Sequence, residues 1–506
     1  MSDEVTERPI SGATDATDAT EAQDSRRWLA LAVIGVAQLM VILDATIVTV
    51  ALPSAQRDLG ITDADRQWVV TAYTLTFGGL MLLGGRIADF TGRKRTLLIG
   101  LLGFAFASGL GGLAGSGGML FAARALQGGF AALLAPAALA LITVTFTTPK
   151  ERARAFGVFG AISGGGAAIG LLLGGLLTEY FSWRWCLGVN VPIAIVTAIA
   201  AIPIVRESRA HGDTRYDIPG AALATLGLVL LVYGFTEAAK PEVGWNDPKT
   251  LTLLATAVVL LVGFVLVEMR VSSPLLPLRI ALDRNRGGSY LTFLLVGAGL
   301  FAMFLFLTFY FQVVLGYSAL KAGFAFLPFS IGIILTAGVA ANLLPRLGPR
   351  PLMIFGLSAA TLGMLYLTRI TPESQYVTHV LPSEIVISVG MALVFIPAAS
   401  TALVGVGGHD AGVASALLNT TQQVGGSLGT ALLNTLYASA VTAFLAANAH
   451  TPAQAQQLMS EAFVHGYHVA FFWGAVLLFA ALITSAVFIQ VRREDLPVDS
   501  AAASAA

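Results

Sequence analysis

The sequence predicts an all-α membrane protein with fourteen spanning helices, arranged as two six-helix bundles with two further helices between them. Three observations support this fold class. The 506-residue chain is 56% hydrophobic and only 11% charged, whereas soluble proteins are about 25% charged. It contains fourteen mostly apolar segments, each near the ~20 residues that a membrane-spanning helix requires. Short motifs also recur at a nearly constant distance along the chain.

The apolar segments are numbered as spans 1 to 14. They cover residues 28–52, 66–87, 96–115, 118–144, 154–178, 184–205, 218–237, 250–269, 288–313, 320–343, 351–369, 381–403, 411–439 and 467–490. Basic residues collect on the cytoplasmic side of membrane proteins. With the N-terminus inside, 21 Lys and Arg fall on the inner side and 7 on the outer side, while Arg124 lies within a span. This distribution predicts a multi-pass protein of the cytoplasmic membrane with both termini cytoplasmic.

The two ends of the chain differ from the spans. Residues 1–25 contain seven acids and one base, which predicts a disordered tail and does not fit a secretory leader. Residues 493–506 are predicted to form a second tail. Basic and acidic residues are equal at 29 each, so no nucleic-acid partner is expected. The single cysteine, Cys186, excludes an internal disulfide.

Repeated motifs divide the chain into halves. Gly92 follows span 2 and Gly348 follows span 10, at an offset of 256, and Gly170 of span 5 corresponds to Gly425 of span 13 at an offset of 255. Two further pairs follow the same offsets: Gly100 with Gly356, and Gly174 with Gly429. We predict six-helix bundles at 26–205 and 284–492, joined by residues 206–283 with spans 7 and 8. Repeated halves around a site at mid-membrane are typical of secondary transporters.

Several motifs are similar to those of a known family. They are Gly85-Arg-Ile-Ala-Asp89-Phe-Thr-Gly92-Arg93, Leu43-Asp44-Ala-Thr, Arg124-Ala-Leu-Gln127-Gly128, Trp183-Arg-Trp185, Asn190-Val-Pro192 and Asn419-Thr-Thr-Gln422-Gln423-Val-Gly425. The first resembles the loop signature of the major facilitator superfamily, and the others resemble its fourteen-span drug:proton antiporter branch. The resemblance implies the major facilitator fold and proton-coupled export of drugs or antibiotics from bacteria by alternating access. It also implies no cofactor, because the proton gradient supplies the energy.

One motif departs from the family pattern. Gly170 is followed by Leu171, whereas the antiporter motif of the family has Gly-Pro at this place. Gly166, Gly170 and Gly174 share one face of span 5, and Gly175 follows them. We interpret these glycines mainly as sites of close helix packing rather than of direct coupling.

Other classes of function fit the sequence less well. An ATP-driven pump would need a GxxxxGK[ST] loop, and the sequence has no Gly-Lys pair. A membrane-embedded enzyme would need clustered His, Cys, Asp or Glu, but only His465 and His468 of the six histidines are close in sequence. No catalytic or metal site is therefore expected. A nutrient importer remains an alternative, because a fold does not determine the direction of transport.

Two ionisable residues are predicted to couple protons. Asp44 of span 1 and Arg124 of span 4 lie at depths that differ by about 4–5 Å at 1.5 Å per residue, so they are able to pair. Ionisable residues inside spans are costly and mark a pathway or a relay. A static buried ion pair is the alternative. The offset of 256 takes Asp44 to Leu300, which predicts that such charges are confined to the first half.

The loop after span 2 is predicted to form a gate that involves Gly85, Asp89, Gly92 and Arg93. The bases of this loop are explained by topology, but acids contribute little to orientation, so Asp89 needs another explanation. The positive end of a helix dipole attracts acids. We expect Asp89 to hold the N-terminus of span 13, near Ala411, when the inner side is closed.

The candidate substrate residues are amides and one tyrosine: Gln127, Tyr310, Gln312, Asn419, Gln422 and Gln423. The last three share a face of span 13, where they either line a cavity or bond between helices. Span 9 is rich in aromatic residues that cannot all face one way, so most are expected to face lipid or core: Phe301, Phe304, Phe306, Phe309, Tyr310 and Phe311. An aromatic wall with few polar groups suits amphiphilic drugs. The expected partners are the lipid bilayer, the drug and protons, and the chain is expected to be a monomer.

Overall fold

The structure is a computed structural model that describes residues 12–146, 148–209, 217–240, 243–271, 274–276, 278–406, 411–449 and 451–491. Every regular element within these ranges is a helix. The first eight spans lie at Gly12–Leu59, Trp68–Thr91, Arg93–Gly112, Gly117–Thr145, Pro149–Tyr180, Trp185–Ile204, Ile218–Ala238 and Pro248–Glu268. The last six lie at Arg284–Val314, Ala319–Leu347, Pro349–Leu367, Tyr376–Leu403, Ala411–Asn448 and Met459–Phe488.

The number of helices agrees with the predicted fold class. Over the described residues, thirteen helices are long and apolar enough to cross a membrane. Span 5 is the fourteenth, a helix of 32 residues whose part Gly166–Tyr180 is apolar. Short helices at Leu278–Ala281 and Pro452–Gln457 lie outside the spans. The prediction of an all-helical, multi-pass membrane protein is confirmed.

The ends of span 1 differ from the prediction. Residues 12–25 belong to the same helix as the span, contrary to the disorder predicted for residues 1–25, while residues 1–11 and 492–506 lie outside the described residues. A helix that already exists extends without the cost of nucleation, which explains the longer N-terminal end. At the other end the helix continues through Pro53 to Leu59. Prolines are tolerated within spanning helices because neighbouring groups satisfy the freed carbonyl.

Spans 9, 10 and 12 are irregular near one end of the bundle. Span 9 ends in a π-helical turn at Tyr310–Val314, and span 12 begins with one at Tyr376–Val380. Span 10 consists of a short helix, Ala319–Ala325, and a long helix, Leu327–Leu347. Pro328 stands in the first turn of the long helix, where its missing N–H is tolerated. The break leaves Ala319–Ala325 as a separate segment, called the outer segment below.

The internal repeat is visible in the geometry. Gly92 and Gly348 both have positive φ, at 119° and 77°, in the turns after spans 2 and 10. A Cβ on Gly174 would lie 2.6 Å from a carbonyl oxygen of span 1, and one on Gly425 would lie 2.0 Å from a carbonyl oxygen of span 9. Span 5 therefore packs on span 1 as span 13 packs on span 9. Spans 1–6 and 9–14 are called the first and second halves below; their exact limits remain a prediction.

Span 7 contacts both halves. Its Thr225 packs on Gly79 of span 2, and its Thr236 is hydrogen-bonded to Gln67 at 2.8 Å beside the same span. The backbone oxygen of Phe235 accepts a hydrogen bond from Thr435 of span 13 at 2.8 Å. Span 8 packs on span 7, where Leu261 faces Gly227. The two inserted spans therefore lie along one side of the junction between the halves.

The halves are joined tightly at the end of the bundle that holds the loop between spans 1 and 2, which is the outer end in the predicted topology. Gln312 Nε2 donates to the carbonyl of Val50 at 2.8 Å, and the backbone N–H of Leu320 donates to Glu179 at 3.0 Å. A Cβ on Gly175 would lie 2.6 Å from Leu320 Cα. The backbones of span 5 and the outer segment thus touch, and the outer end is sealed.

Candidate functional site

The buried site of the first half centres on the Asp44 carboxylate. Asp44 Oδ2 accepts from Arg124 Nη1 at 2.5 Å. Its Oδ1 accepts from Gln127 Nε2 at 3.0 Å and from Asn190 Nδ2 at 2.7 Å. Asp44 is 0% and Arg124 1% exposed. The pairing that the depths of the two residues allowed is therefore formed, and spans 1, 4 and 6 meet at one carboxylate.

Arg124 is held from several directions. Its Nε donates to the Val69 carbonyl of span 2 at 2.9 Å, and its Nη1 also donates to Gln127 Oε1 at 2.8 Å. The guanidinium lies 4.4 Å from the centre of the Tyr73 ring, at a distance typical of a cation–π contact. A buried ion pair is tolerated only when further hydrogen bonds satisfy both groups, and these contacts supply them.

Protonation of Asp44 would change the hydrogen bonds of this site. One carboxylate faces one guanidinium and two amide donors, so protonation of Asp44 would release Arg124 to its other acceptors. A protonated Asp44 would also donate a hydrogen bond, which the carboxylate cannot do. The buried Oδ1 atom of Asn190, which has no hydrogen-bond partner among the described residues, could accept that bond after rotation of its amide.

The glycines of span 5 lie where close packing requires them. A Cβ on Gly166 would lie 3.0 Å from Leu39, and one on Gly170 would lie 2.0 Å from Thr46, both on span 1. Gly174 faces the same span, whereas Gly175 faces the outer segment of the second half. Leu171 is buried, and its carbonyl lies 2.6 Å from the place of a Cβ on Gly323. The position that holds proline in the family is thus part of the seal between the halves.

The loop after span 2 is closed on itself. Asp89 Oδ1 accepts from Arg93 Nη2 at 2.8 Å and from its Nε at 3.1 Å. The Glu207 carboxylate accepts from the backbone N–H groups of Lys94 and Arg95 at the start of span 3. A Cβ on Gly92 would lie 2.7 Å from this carboxylate, so glycine is needed both for positive φ and for space. Gly85 makes ordinary contact with Pro136 of span 4, at 3.5 Å from a Cβ.

The side chains of Gln127, Tyr310 and Gln312 have polar partners within the protein. Gln127 is fully buried and also donates to Ser108 Oγ at 2.7 Å. Tyr310 is fully buried and donates to the Thr371 carbonyl at 2.8 Å, while Gln312 bonds to span 1 across the outer seal. Their polar atoms are used for structure in this conformation. Phe306, Phe309 and Phe311 of span 9 are buried too, in agreement with a core position.

The amides of span 13 are placed differently. Asn419 is exposed, and Gln422 and Gln423 are half-buried. Gln423 packs on Gly78 of span 2, with 3.0 Å between its Cβ and a Cβ placed on that glycine. Its Oε1 atom is buried and has no hydrogen-bond partner among the described residues. Gln423 therefore lies between the halves with an acceptor that this part of the chain leaves unpaired.

Arg66 is predicted from the sequence only as one of the basic residues on the outer side, but the structure buries it. It is 2% exposed, and its Nε donates to Asn434 Oδ1 of span 13 at 3.3 Å. Its guanidinium lies 4.0 Å from the ring centre of Phe309 and 4.7 Å from that of Tyr437. Arg66 thus joins a loop of the first half to two spans of the second half. It also lines an outer cleft of about 410 Å³ between the halves.

Replacement of Arg66 by Ala is expected to weaken the outer seal. Charge-assisted hydrogen bonds contribute about 1.5–3 kcal/mol, and a loss of about 1.4 kcal/mol changes an equilibrium tenfold. Ala322 of the outer segment is fully buried and Cys186, the single cysteine, is also buried. A Cys introduced at Ala322 in a Cys186→Ser background should therefore react at least about tenfold faster with an impermeant maleimide in the Arg66→Ala variant. The exposed Arg57 supplies the control, because Arg57→Ala should leave the labelling rate unchanged. Equal labelling rates in the parent protein, the Arg66→Ala variant and the Arg57→Ala variant would contradict a role of Arg66 in the outer seal.

A second missed residue corrects the prediction that ionisable residues buried inside spans are confined to the first half. Glu384 in span 12 is 0% exposed. Its Oε2 lies 3.1 Å from Tyr376 Oη, and its Oε1 has no hydrogen-bond partner within the described part of the chain. The prediction was wrong because it tested only the counterpart of Asp44, the apolar Leu300. Among the described residues, no group of three or more His, Cys, Asp and Glu is able to hold a metal ion.

Comparisons with known proteins identify the family. The model of the Major Facilitator Superfamily matches residues 34–430. The chain belongs to this superfamily. It is therefore a membrane transporter, and the family that the motifs predicted is confirmed. The chain is 51% identical over 474 residues to the puromycin resistance protein pur8 of Streptomyces alboniger, with 93% of each chain covered.

Other relatives agree with this membership. The chain is 41% identical to the cephamycin export protein CmcT of Amycolatopsis lactamdurans over 440 residues, which cover 86% of this chain and 88% of the relative. It resembles the solved structure of a bacterial homolog of the human lysosomal transporter Spinster with a TM-score of 0.65 at 16% identity. That likeness covers 94% of this chain and 99% of the other. At this identity the likeness concerns the fold alone.

Proposed function

We propose that the chain is a proton-coupled exporter of an amphiphilic drug or antibiotic, which works by alternating access without a cofactor. The observation that carries the proposal is the buried Asp44–Arg124 pair, because an ionisable pair inside a span is costly unless it serves transport. The names of the relatives, resistance and export proteins for puromycin and cephamycin, support a drug as the substrate.

The sealed outer end indicates which side of the transporter is closed in this conformation. With Arg66, Gln312 and Leu320 bonded across the outer junction, the drug would enter from the inner side. Gln423 would meet it between the halves, because its Oε1 atom has no hydrogen-bond partner among the described residues. Asp44 would bind a proton from outside and release it inside, while the drug moves in the opposite direction.

Transport assays in cells test the direction. Cells that express the protein should accumulate less drug when the proton gradient is intact and more after an uncoupler collapses it. Puromycin and a cephamycin are suitable probes, since relatives of this chain are named for them. A nutrient importer on the same fold would show the reverse dependence and lower accumulation after uncoupling.

The topology that belongs to this proposal has fourteen spans and both termini in the cytoplasm, in the cytoplasmic membrane of a bacterium. A reporter enzyme that works only in the cytoplasm should be active when it is fused after Val491. A reporter enzyme that works only outside the membrane should be active when it is fused within residues 440–466, between spans 13 and 14. An external signal from the fusion at Val491 would contradict the count of spans.

A further inference from the structure

The carboxyl group of Glu384 is buried, and no cation of the described residues pairs with it. Its one polar contact among the described residues is the hydroxyl of Tyr376, at 3.1 Å, and its Oε1 atom has no partner. Groups on the neighbouring elements that titrate or carry charge are occupied elsewhere. They are Lys321 over the ring of Tyr317, Arg369 over the ring of Tyr366, Tyr366 bonded to Thr378, Tyr310 bonded to Thr371, and His379 in contact with Thr378.

The number of hydrogen atoms at this contact indicates which form of the acid fits. The Tyr376 hydroxyl has one hydrogen and two neighbours, the Ala325 carbonyl at 2.8 Å and Glu384 Oε2 at 3.1 Å. A carbonyl only accepts hydrogen bonds, so the Tyr376 proton belongs to the shorter contact with Ala325. The contact with Glu384 is then satisfied when the carboxylic acid donates to Tyr376 Oη. The neutral acid completes both hydrogen bonds.

The internal repeat relates this contact to the Asp44 site. Arg124 donates to the Val69 carbonyl of span 2, and Tyr376 donates to the Ala325 carbonyl of span 10. The offset of 256 takes Val69 to Ala325 and Gln127 to Ser383, the neighbour of Glu384. Each half therefore has an acid near the same place, with a donor that also binds the same carbonyl of the neighbouring span. The first half uses a guanidinium, and the second half uses a phenol.

The Ala325 carbonyl belongs to the seal between the halves. Ala325 is the last residue of the outer segment, whose Leu320 and Gly323 pack on span 5 of the first half. Opening of the outer end must separate the outer segment from span 5. Movement of this segment would carry the Ala325 carbonyl away from Tyr376 and admit water to Glu384.

We propose that Glu384 is a second proton-binding site, which takes a proton from the outer side and whose neutral form stabilises the closed outer end. The proton bonds to a carboxylate oxygen of Glu384 and is hydrogen-bonded to Tyr376 Oη; on opening, the same O–H bond breaks and the proton returns to water. Because the closed form binds the proton more tightly, acidic pH outside favours closure, and closure favours proton binding. The inference rests on the alternating access of the proposed function.

Labelling of a Cys at Ala322 tests the site without any drug. In the Cys186→Ser background, the ratio of open to closed outer ends should rise with external pH, by up to about tenfold per pH unit for each linked proton. Glu384→Gln mimics the neutral acid, so the pH slope should fall by one proton and labelling should stay low at alkaline pH. Tyr376→Phe breaks the link to Ala325 and should raise labelling at acidic pH. Ser383→Ala, at the adjacent buried hydroxyl, should keep the wild-type slope.

An unchanged pH slope in Glu384→Gln would overturn the proposal. If this variant folds poorly, infrared difference spectra of the wild-type protein in membranes decide instead. A protonated carboxyl signal at neutral pH that is retained in Asp44→Asn and shifted in frequency in Tyr376→Phe, which removes the hydrogen-bond partner of Glu384, supports the site. The absence of such a signal, or a signal that Tyr376→Phe leaves unchanged, overturns it. These outcomes do not depend on drug transport. The proposed function would fail separately, if drug movement by the wild-type protein drove no movement of protons in the opposite direction.

Discussion

Asp44→Asn is expected to abolish proton-coupled drug export, with a loss of at least about a hundredfold in the rate of drug-dependent proton movement. General acid–base groups in defined positions contribute about 10²–10⁴-fold to a rate. Asp44 is the acid at the centre of the buried site of the first half. The asparagine keeps the shape of the side chain but has no acid to titrate. The measurement is the pH change that drug addition produces in proteoliposomes.

The double variant Asp44→Asn with Arg124→Gln separates a relay from a static pair. Removal of one partner of a buried ion pair costs about 3–5 kcal/mol of stability, so the single variant is also compared for abundance in the membrane. The double variant removes both charges and relieves this cost. A static pair predicts recovery of transport, whereas the relay predicts that folding recovers and proton movement does not. Drug-dependent proton movement in Asp44→Asn alone would end the relay hypothesis.

Asp89→Asn is expected to cripple transport while leaving the amount of protein in the membrane normal. The ion pair with Arg93 is partly exposed, since the Asp89 side chain is 38% accessible. Pairs of this kind contribute about 0–1 kcal/mol, so the substitution should not unfold the loop. We propose that Asp89 instead attracts the N-terminus of span 13 when the inner side closes. The measurement is the initial rate of drug export at matched abundance.

Arg95→Gln is the matched control for this prediction. Arg95 stands in the same loop, with its side chain 63% exposed and 3.8 Å from Glu207, and lies outside the proposed gate. It should transport drug at the wild-type rate, which separates the role of Asp89 from a general effect of loop charge. Full transport by Asp89→Asn would contradict the proposed contact of Asp89 with the N-terminus of span 13.

Sequence patterns predicted the fold because they record two strong constraints. The length of each apolar segment predicts where a helix crosses the membrane. The alternation of basic and non-basic loops checks that no crossing has been missed or added. The repeat also paired Gly170 with Gly425, and the structure packs each of these glycines closely on the neighbouring span. The path of the chain through Pro53 and the break of span 10 before Pro328 were not predicted, because tertiary contacts decide whether a proline ends, bends or starts a helix.

The depths of Asp44 and Arg124 showed only that the two residues are able to pair. Two further contacts of this site, from Asn190 to Asp44 and from Gln127 to Ser108, depend on how spans 3 and 6 rotate about their axes. Short apolar helices rich in Gly and Ala give no clear face. Glu384 could have been predicted as a buried acid from the sequence, since it lies inside a predicted span. The burial of Arg66 could not have been predicted, because a count of loop charges does not separate a buried guanidinium from a solvated one.

The coupled movement of drug and protons in opposite directions is the central claim, and it is measured most directly in proteoliposomes that contain the purified protein. A gradient of puromycin is imposed with no pH difference, and the internal pH is followed with a trapped dye. Downhill movement of drug in one direction should drive protons in the other direction, and Asp44→Asn should show neither the pH change nor uphill drug transport. Protons that move with the drug, or a drug flux without any pH change, would contradict the account.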